Sequence, residues 1–279
     1  MNPIVVAVDF SNTSIHAIEY AIPLANRFKS DLVMVWVDKI NTVESLYPDT
    51  SVESRNEAKK RFEELLKFFH KKLGKEIKME YRFRKGKVYH EIDHLARQAG
   101  AMLIITGTHG ISGFEEYWIG SNAFKILTYA TCPVITVRHD FPVKKGIERI
   151  LVPIDNSPET VQKLPMVVRL ASLFRPEIHL ITTHSSHLKS IQRISEKYAQ
   201  IAMEYFGRHD IKYIQDEIVS NDITKALIAY ARDVEADLIS IMTEQETPVN
   251  MLLGPYAHQI IHQSSIPVLS QHPAEHFML

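Results

Sequence analysis

Four of the ten glycines in this chain, Gly107, Gly110, Gly113 and Gly120, crowd into the stretch GTHGISGFEEYWIGS at 107–121. Glycine lets a backbone turn tightly and come close to a ligand. The stretch follows an apolar run, AMLIIT, and Gly120-Ser121 opens the segment SNAFKILTYAT, which reads as a helix. A helix N-terminus presents unpaired amides and partial positive charge, which suit phosphate. Ser121 adds a hydroxyl there, and His109, inside the loop, carries ring nitrogens that either donate to phosphate or face solvent. Asp9 ends the first apolar run, IVVAVD, where a carboxylate can meet the ribose or base of the same ligand. The other reading is that these glycines only shape a tight loop. Two better-known phosphate loops are excluded. No lysine precedes Ser121, as a Walker A loop requires. The first strand–helix turn, DFSNTS, has none of the glycines of a dinucleotide fingerprint.

The elements that would position these groups alternate. In the first half the pattern gives strand 3–9, helix 13–29, strand 31–37, helix 52–73, strand 77–84, helix 88–99, strand 101–106, helix 121–130 and strand 133–138. The order then repeats. PIVVAVDFSNTSIHAIEYAIPLA from Pro3 matches RILVPIDNSPETVQKLPMVVRLA from Arg149, and AMLIITGTHG from Ala101 matches ADLISIMTEQ from Ala236. TCPVITV from Thr131 matches SIPVLSQ from Ser265. Three matches in one order make a duplicated domain. The second half reads strand 149–155, helix 158–174, strand 177–184, helix 188–208, strand 211–219, helix 223–234, strand 237–242, helix 255–264 and strand 266–270. Short apolar strands alternating with helices imply right-handed crossovers and an α/β fold of two doubly wound parallel sheets. The expected domains are 1–140 and 147–279, joined at HDFPVKKGIE, which has linker composition.

Composition narrows the classes. The 279 residues suit two domains, each able to bury its own core. A formal net charge of −1 argues against a protein that lives on nucleic acid. The basic-aromatic run IKMEYRFRKGK reads as a half-exposed strand before it reads as a single-strand binder. One cysteine, Cys132, allows no internal disulfide and reads as a small buried thiol. No apolar run is long enough to span a membrane, and MNPIVVAVDF reads as a strand, so a cytoplasmic location is the expectation.

Gly107, two residues, Gly110, nine residues, Gly120 and then Ser121 is a spacing that resembles the ATP-binding motif of the universal stress proteins. The resemblance covers the whole chain as two tandem copies, through AVDFS and PIDNS, the ADLI-type fourth strands, and the CPV and IPV closures. It implies a flavodoxin-like, Rossmann-like sheet of order 3-2-1-4-5 in each copy. It further implies that Asp9 and the backbone around Ala7, Val8 and Val37 contact the nucleoside. Gly107, Gly110, Gly120, Ser121 and Asn122 would surround the phosphates, mainly through N–H groups, and Asn122 departs mildly from the small residue usual there. The expected ligand is ATP or another adenine nucleotide, with Mg on the phosphates. The closing strands of the two copies would pair as an intrachain pseudo-dimer, and two chains would be free to form a homodimer.

The second copy departs from the motif. Its loop reads MTEQETPVNMLLGPY, with Met242 for the first glycine, Gln245 for the second, and Pro255 after Gly254. Proline has no N–H to give a phosphate, and Glu244 and Glu246 add unfavourable charge. The second copy is therefore expected not to bind ATP in this manner, leaving Asp155 as a relic or a local cap and a more apolar cleft lined by Met242, Met251, Leu252 and Leu253 that could take an apolar ligand. His90/His94 and His258/His262 each share a helix face, yet no third zinc ligand accompanies either pair. Three functions fit: a nucleotide-binding stress or signalling module without efficient catalysis, a slow ATPase or phosphotransferase using His109, Glu115 or Glu116, and a nucleotide-free interaction protein. No catalytic residue is assigned.

Overall fold

The computed structural model describes residues 2–38, 48–108, 119–144, 146–184, 188–243 and 253–274, with backbone alone for 48–52. The chain forms two compact units, Met1–Lys144 and Lys145–Leu279.

In the first unit β1 (Ile4–Ala7), β2 (Leu32–Asp38), β3 (Met79–Lys85), β4 (Leu103–Gly107) and β5 (Val134–Val137) are joined through α1 (Asn12–Phe28), α2 (Pro48–Phe69), α3 (Val88–Ala99) and α4 (Ser121–Tyr129). All pairings are parallel. Ile4 sits beside Leu32 on one side and Leu103 on the other, Leu32 beside Met79, and Ile104 beside Val134. The order is β3-β2-β1-β4-β5. The largely apolar strands β1, β4 and β5 are buried on both faces because helices cover both. The edge strand β3 alternates instead. Its Tyr81 ring stacks on Phe62 of α2 with centroids 4.8 Å apart, and Phe83 meets the same ring at 5.8 Å. These two aromatics therefore serve the core. Phe62 and Phe69 are fully buried, whereas Phe68, which helical spacing also assigns to the core, is 62% exposed. It lies beside Phe69 on the outer flank of the helix, with the Lys72 ammonium 5.0 Å from its ring.

The second unit repeats the plan with β6 (Arg149–Ile154), β7 (Glu177–His184), β8 (Tyr213–Val219), β9 (Leu238–Met242) and β10 (Val268–Gln271), and with α5 (Leu164–Phe174), α6 (Lys189–Arg208), α7 (Ile223–Asp233) and α8 (Pro255–Gln263). Its order is β8-β7-β6-β9-β10, again 3-2-1-4-5 within the copy. Asp222 caps α7 by accepting from the Lys225 amide at 3.0 Å. One element differs from expectation. Instead of a helix over 158–174, a 3-10 turn at Pro158–Val161 precedes α5. Pro165 supplies the reason: its ring has no N–H and would clash with the carbonyl of Val161 in a continuous helix.

The strand order reverses direction between β1 and β4, so the crevice of the first unit opens beyond their carboxyl ends. A close packing contact sets its floor. A methyl group at Gly107 would lie 2.6 Å from Thr13 Cγ2 and 3.0 Å from the Thr13 backbone carbon. The first turn of α1 thus rests on a strand end that carries no side chain. Gly107→Ala should lower stability by about 1–3 kcal/mol, the usual range for overpacking. Adding Thr13→Ser, which removes the nearer methyl, should recover part of that loss in urea unfolding. Full wild-type stability in the single variant would contradict the contact.

Candidate functional site

The crevice of the first unit is built from two turns. Ser11 caps α1, its Oγ accepting from the Ser14 amide at 3.2 Å. Asp9 organises the approach to that cap. Its Oδ1 accepts from the Ser11 amide at 3.0 Å and from Ser11 Oγ at 2.6 Å. Its own amide donates to Ser14 Oγ at 3.3 Å. Between Asp9 and Ser11, Phe10 takes a left-handed backbone with φ 63. Its ring lies 4.8 Å from that of Phe62 and 5.4 Å from the Arg61 guanidinium. Left-handed backbone is costly for a bulky residue, and the two contacts of its ring hold it there. Asp9 is half-buried, and among the described residues its Oδ2 has no hydrogen-bond partner. Ala7 and Val8 lead into this turn. The Val8 amide is taken by the Val35 carbonyl at 2.9 Å, so toward a ligand Val8 can offer only its carbonyl. Val37 is the last residue but one of β2 and is buried.

The second turn begins at Gly107 and Thr108. Thr108 extends β4 by donating its amide to the Val137 carbonyl at 3.0 Å. His109 and Gly110 lie outside the described residues, as do Gly113, Glu115 and Glu116. The chain is described again at 119, and Gly120 caps α4 with extended backbone, φ −61 and ψ 145. The Gly120 amide donates to the Thr108 carbonyl at 2.6 Å, closing the loop at its base. Gly120 therefore contributes shape, and its N–H is already committed to protein. The helix donors left are the amides of Ser121, Asn122 and Ala123, which have no intrahelical acceptor. Among the described residues no side chain caps them. Three amides in one turn, the Ser121 hydroxyl and the helix dipole make an anion-binding end. Asp9 and these amides flank the same switch point of the sheet, on β1 and after β4.

The second unit keeps the first turn and loses the second. Asp155 Oδ1 accepts from the Ser157 amide at 2.8 Å and from Ser157 Oγ at 2.5 Å, and its own amide donates to Thr160 Oγ1 at 3.1 Å. These match the Asp9 bonds one for one, so Asp155 holds the turn that leads into the next helical segment rather than capping it, and Asp9 carries the same structural duty. At the other turn Met242 brings a buried side chain to the position of Gly107. Gly254 caps α8 with φ 72, and Pro255 occupies the first turn without an N–H. Among the described residues no bond corresponds to that between Gly120 and Thr108. Thr243 instead shares a 2.6 Å hydrogen bond with His272 Nδ1. Glu244, Gln245, Glu246, Met251 and Leu252 lie outside the described residues.

A residue that sequence reading passed over stands beneath this edge. Lys163 is fully buried, and its Nζ donates to Thr160 Oγ1 at 3.2 Å. Burial drives its pKa down to about 8, opposed by the negative charge of Asp155. Comparing the copies at the spacing of Asp9 to Asp155 would have exposed it, since Ala17 holds that place in the first unit and is fully buried.

Elsewhere, no group of three metal-ligating side chains occurs among the described residues. His258 and His262 do share a face, with centroids 5.8 Å apart. His184 is buried beside Glu217, its Nε2 3.2 Å from the carboxylate. Cys132 has its thiol pushed up to about 12 by burial and by Asp93, which makes it a poor nucleophile. None of the described helices is long and apolar enough to cross a membrane.

The lowered Lys163 pKa has a stability consequence. Below about pH 8 the folded protein holds a buried ammonium that water would solvate better. Between about pH 8 and the ordinary value of 10.5 the folded state has lost that proton while the unfolded state keeps it. Stability therefore rises with pH across this window, by roughly 3 kcal/mol for the shift as a whole. Lys163→Met should be more stable than wild type at pH 7, and its advantage should shrink by pH 10. Urea unfolding at both values checks this, and equal pH slopes in the two proteins would contradict it.

Comparison with known proteins places this geometry. The universal stress protein family model matches twice, over residues 1–138 and 146–270. A universal stress protein of Bacillus subtilis is 34% identical over 146 residues, covering 49% of this chain and 99% of that protein. One from Methanocaldococcus jannaschii is 31% identical over 138 residues, covering 48% of this chain and 81% of its own. Among solved structures, a universal stress protein from Archaeoglobus fulgidus superposes with a TM-score of 0.76 at 20% identity, over 98% of this chain and 97% of that one, which shows the common fold. With both copies matched by the family model, this chain belongs to the universal stress protein family, as a tandem member with two such domains.

Proposed function

We propose that the first unit binds ATP or a related adenine nucleotide and that the protein acts as a nucleotide-responsive stress or signalling module without an efficient catalytic step. The observation that carries this reading is the uncapped first turn of α4, held at the switch point by the 2.6 Å bond from Gly120 to Thr108. The amides of Ser121, Asn122 and Ala123 suit the phosphates. Asp9, with Oδ1 engaged in its turn and Oδ2 open among the described residues, suits a ribose hydroxyl. A divalent ion would arrive on the phosphates, with the Ser121 hydroxyl as its nearest protein oxygen in sequence. The second unit supports the reading by contrast. It retains the aspartate turn, but its helix start offers one amide fewer and Met242 replaces Gly107.

Calorimetric titration with ATP tests the proposal. Wild type should bind about one equivalent. Gly120→Pro keeps a compatible φ but removes the bond to Thr108, and it should weaken binding tenfold or more. Asp9→Asn keeps an acceptor for the turn and should weaken nucleoside recognition less. The equivalent change Asp155→Asn should have no effect. Equal affinity in wild type and Gly120→Pro, or loss of binding in Asp155→Asn, would overturn the assignment.

A further inference from the structure

At the opposite, amino-terminal end of the second sheet lies a cavity of about 600 Å³. Its origin is visible by comparing the two copies. In the first unit two side chains tie down the connection from α2 to β3. Asn26 bridges it, donating from Nδ2 to the Lys72 carbonyl at 2.9 Å and accepting from the Gly74 amide at 2.8 Å. Asp31 Oδ1 accepts from the Lys78 amide at 2.8 Å. The second unit has Ser172 and Glu177 at these positions. Ser172 Oγ turns back to the Val168 carbonyl of its own helix at 2.9 Å, and Glu177 Oε1 engages His179 Nε2 at 2.9 Å. The connection is also shorter. Residues 207–212 follow the buried Phe206, where 70–78 follow the buried Phe69. Both ties are gone, the covering segment has shrunk, and Ser172 and Glu177 now line the space.

We propose that this cavity is a binding site for a small amphiphilic anion, an apolar body bearing one carboxylate, sulfonate or phosphate group. Ile211, Tyr213 and Ile214 provide an apolar wall, and Arg175 and Lys212 bring two permanent cations to the lining. His209 adds a third nitrogen base, its ring 4.7 Å from that of Tyr205. The lining also holds two acids, Glu177, whose charge is offset in part by Arg149 Nε at 3.7 Å and which is engaged by His179, and Asp210. The volume falls within the range of small-molecule sites. The site is independent of the nucleotide crevice, because it lies in the other copy and at the other end of its sheet.

Fluorescence titration with 8-anilinonaphthalene-1-sulfonate, with decanoate as competitor, tests the proposal on the full chain. One saturable site with a dissociation constant of about 10–100 µM is expected, displaced by decanoate. Arg175→Gln and Lys212→Gln should each weaken binding by about tenfold. Ser172→Trp, a change at an exposed helix position, should fill the cavity and abolish binding with the thermal midpoint unchanged. Amide shifts induced by the probe should cluster at 171–177 and 209–214. Binding that is unchanged in all three variants, shifts confined to other segments, or no saturable binding up to about 1 mM would overturn it.

Discussion

The contact between Gly107 and Thr13 is the constraint from which the crevice of the first unit follows. Because β4 ends on a residue without a side chain, the first turn of α1 can settle against it. That settles where Ser11 caps the helix and hence where Asp9, bound to Ser11, must stand. The chain then leaves β4 through Thr108, whose carbonyl receives the Gly120 amide and fixes the start of α4. A glycine in a phosphate-loop spacing thus has a packing reason of its own.

The second unit shows what the same plan becomes when that constraint is released. Met242 takes the glycine's place, a 3-10 turn replaces the start of the first helix, and Lys163 buries an ammonium under the edge. The aspartate turn survives because its bonds are internal to six residues and need nothing from β9. Its survival isolates a structural role that Asp9 also has in the first unit. An aspartate after the first strand stabilises the entry to the helix whether or not a ligand comes, so its presence alone says little about binding. The end of the fourth strand and the next helix start discriminate between the copies.

Much of this was legible in the sequence, for identifiable reasons. Strands such as LVMVWV and MLIIT are short, apolar and bounded by turns, so their period and length leave little choice, and duplication supplied an internal check. Other features depended on tertiary geometry. Phe68 and Phe69 are adjacent on a helix, and only the position of the sheet decides which one is buried. The Gly120 amide looked available to phosphate, because a bond to a carbonyl twelve residues earlier has no local signal. Lys163 reads as an ordinary polar residue until it is set against Ala17. The cavity beside Ser172 leaves no motif at all, since it arises from ties that the other copy makes and this one lacks.

On the proposed function, one copy holds nucleotide and the other does not. Denaturing the purified protein and identifying any released nucleotide by mass, after saturation with ATP and removal of the excess, addresses it most directly. One adenine nucleotide per chain is expected. Two per chain would show that Met242 and Pro255 do not disable the second copy. None would remove the nucleotide from the first and leave its uncapped helix start without the ligand assigned to it.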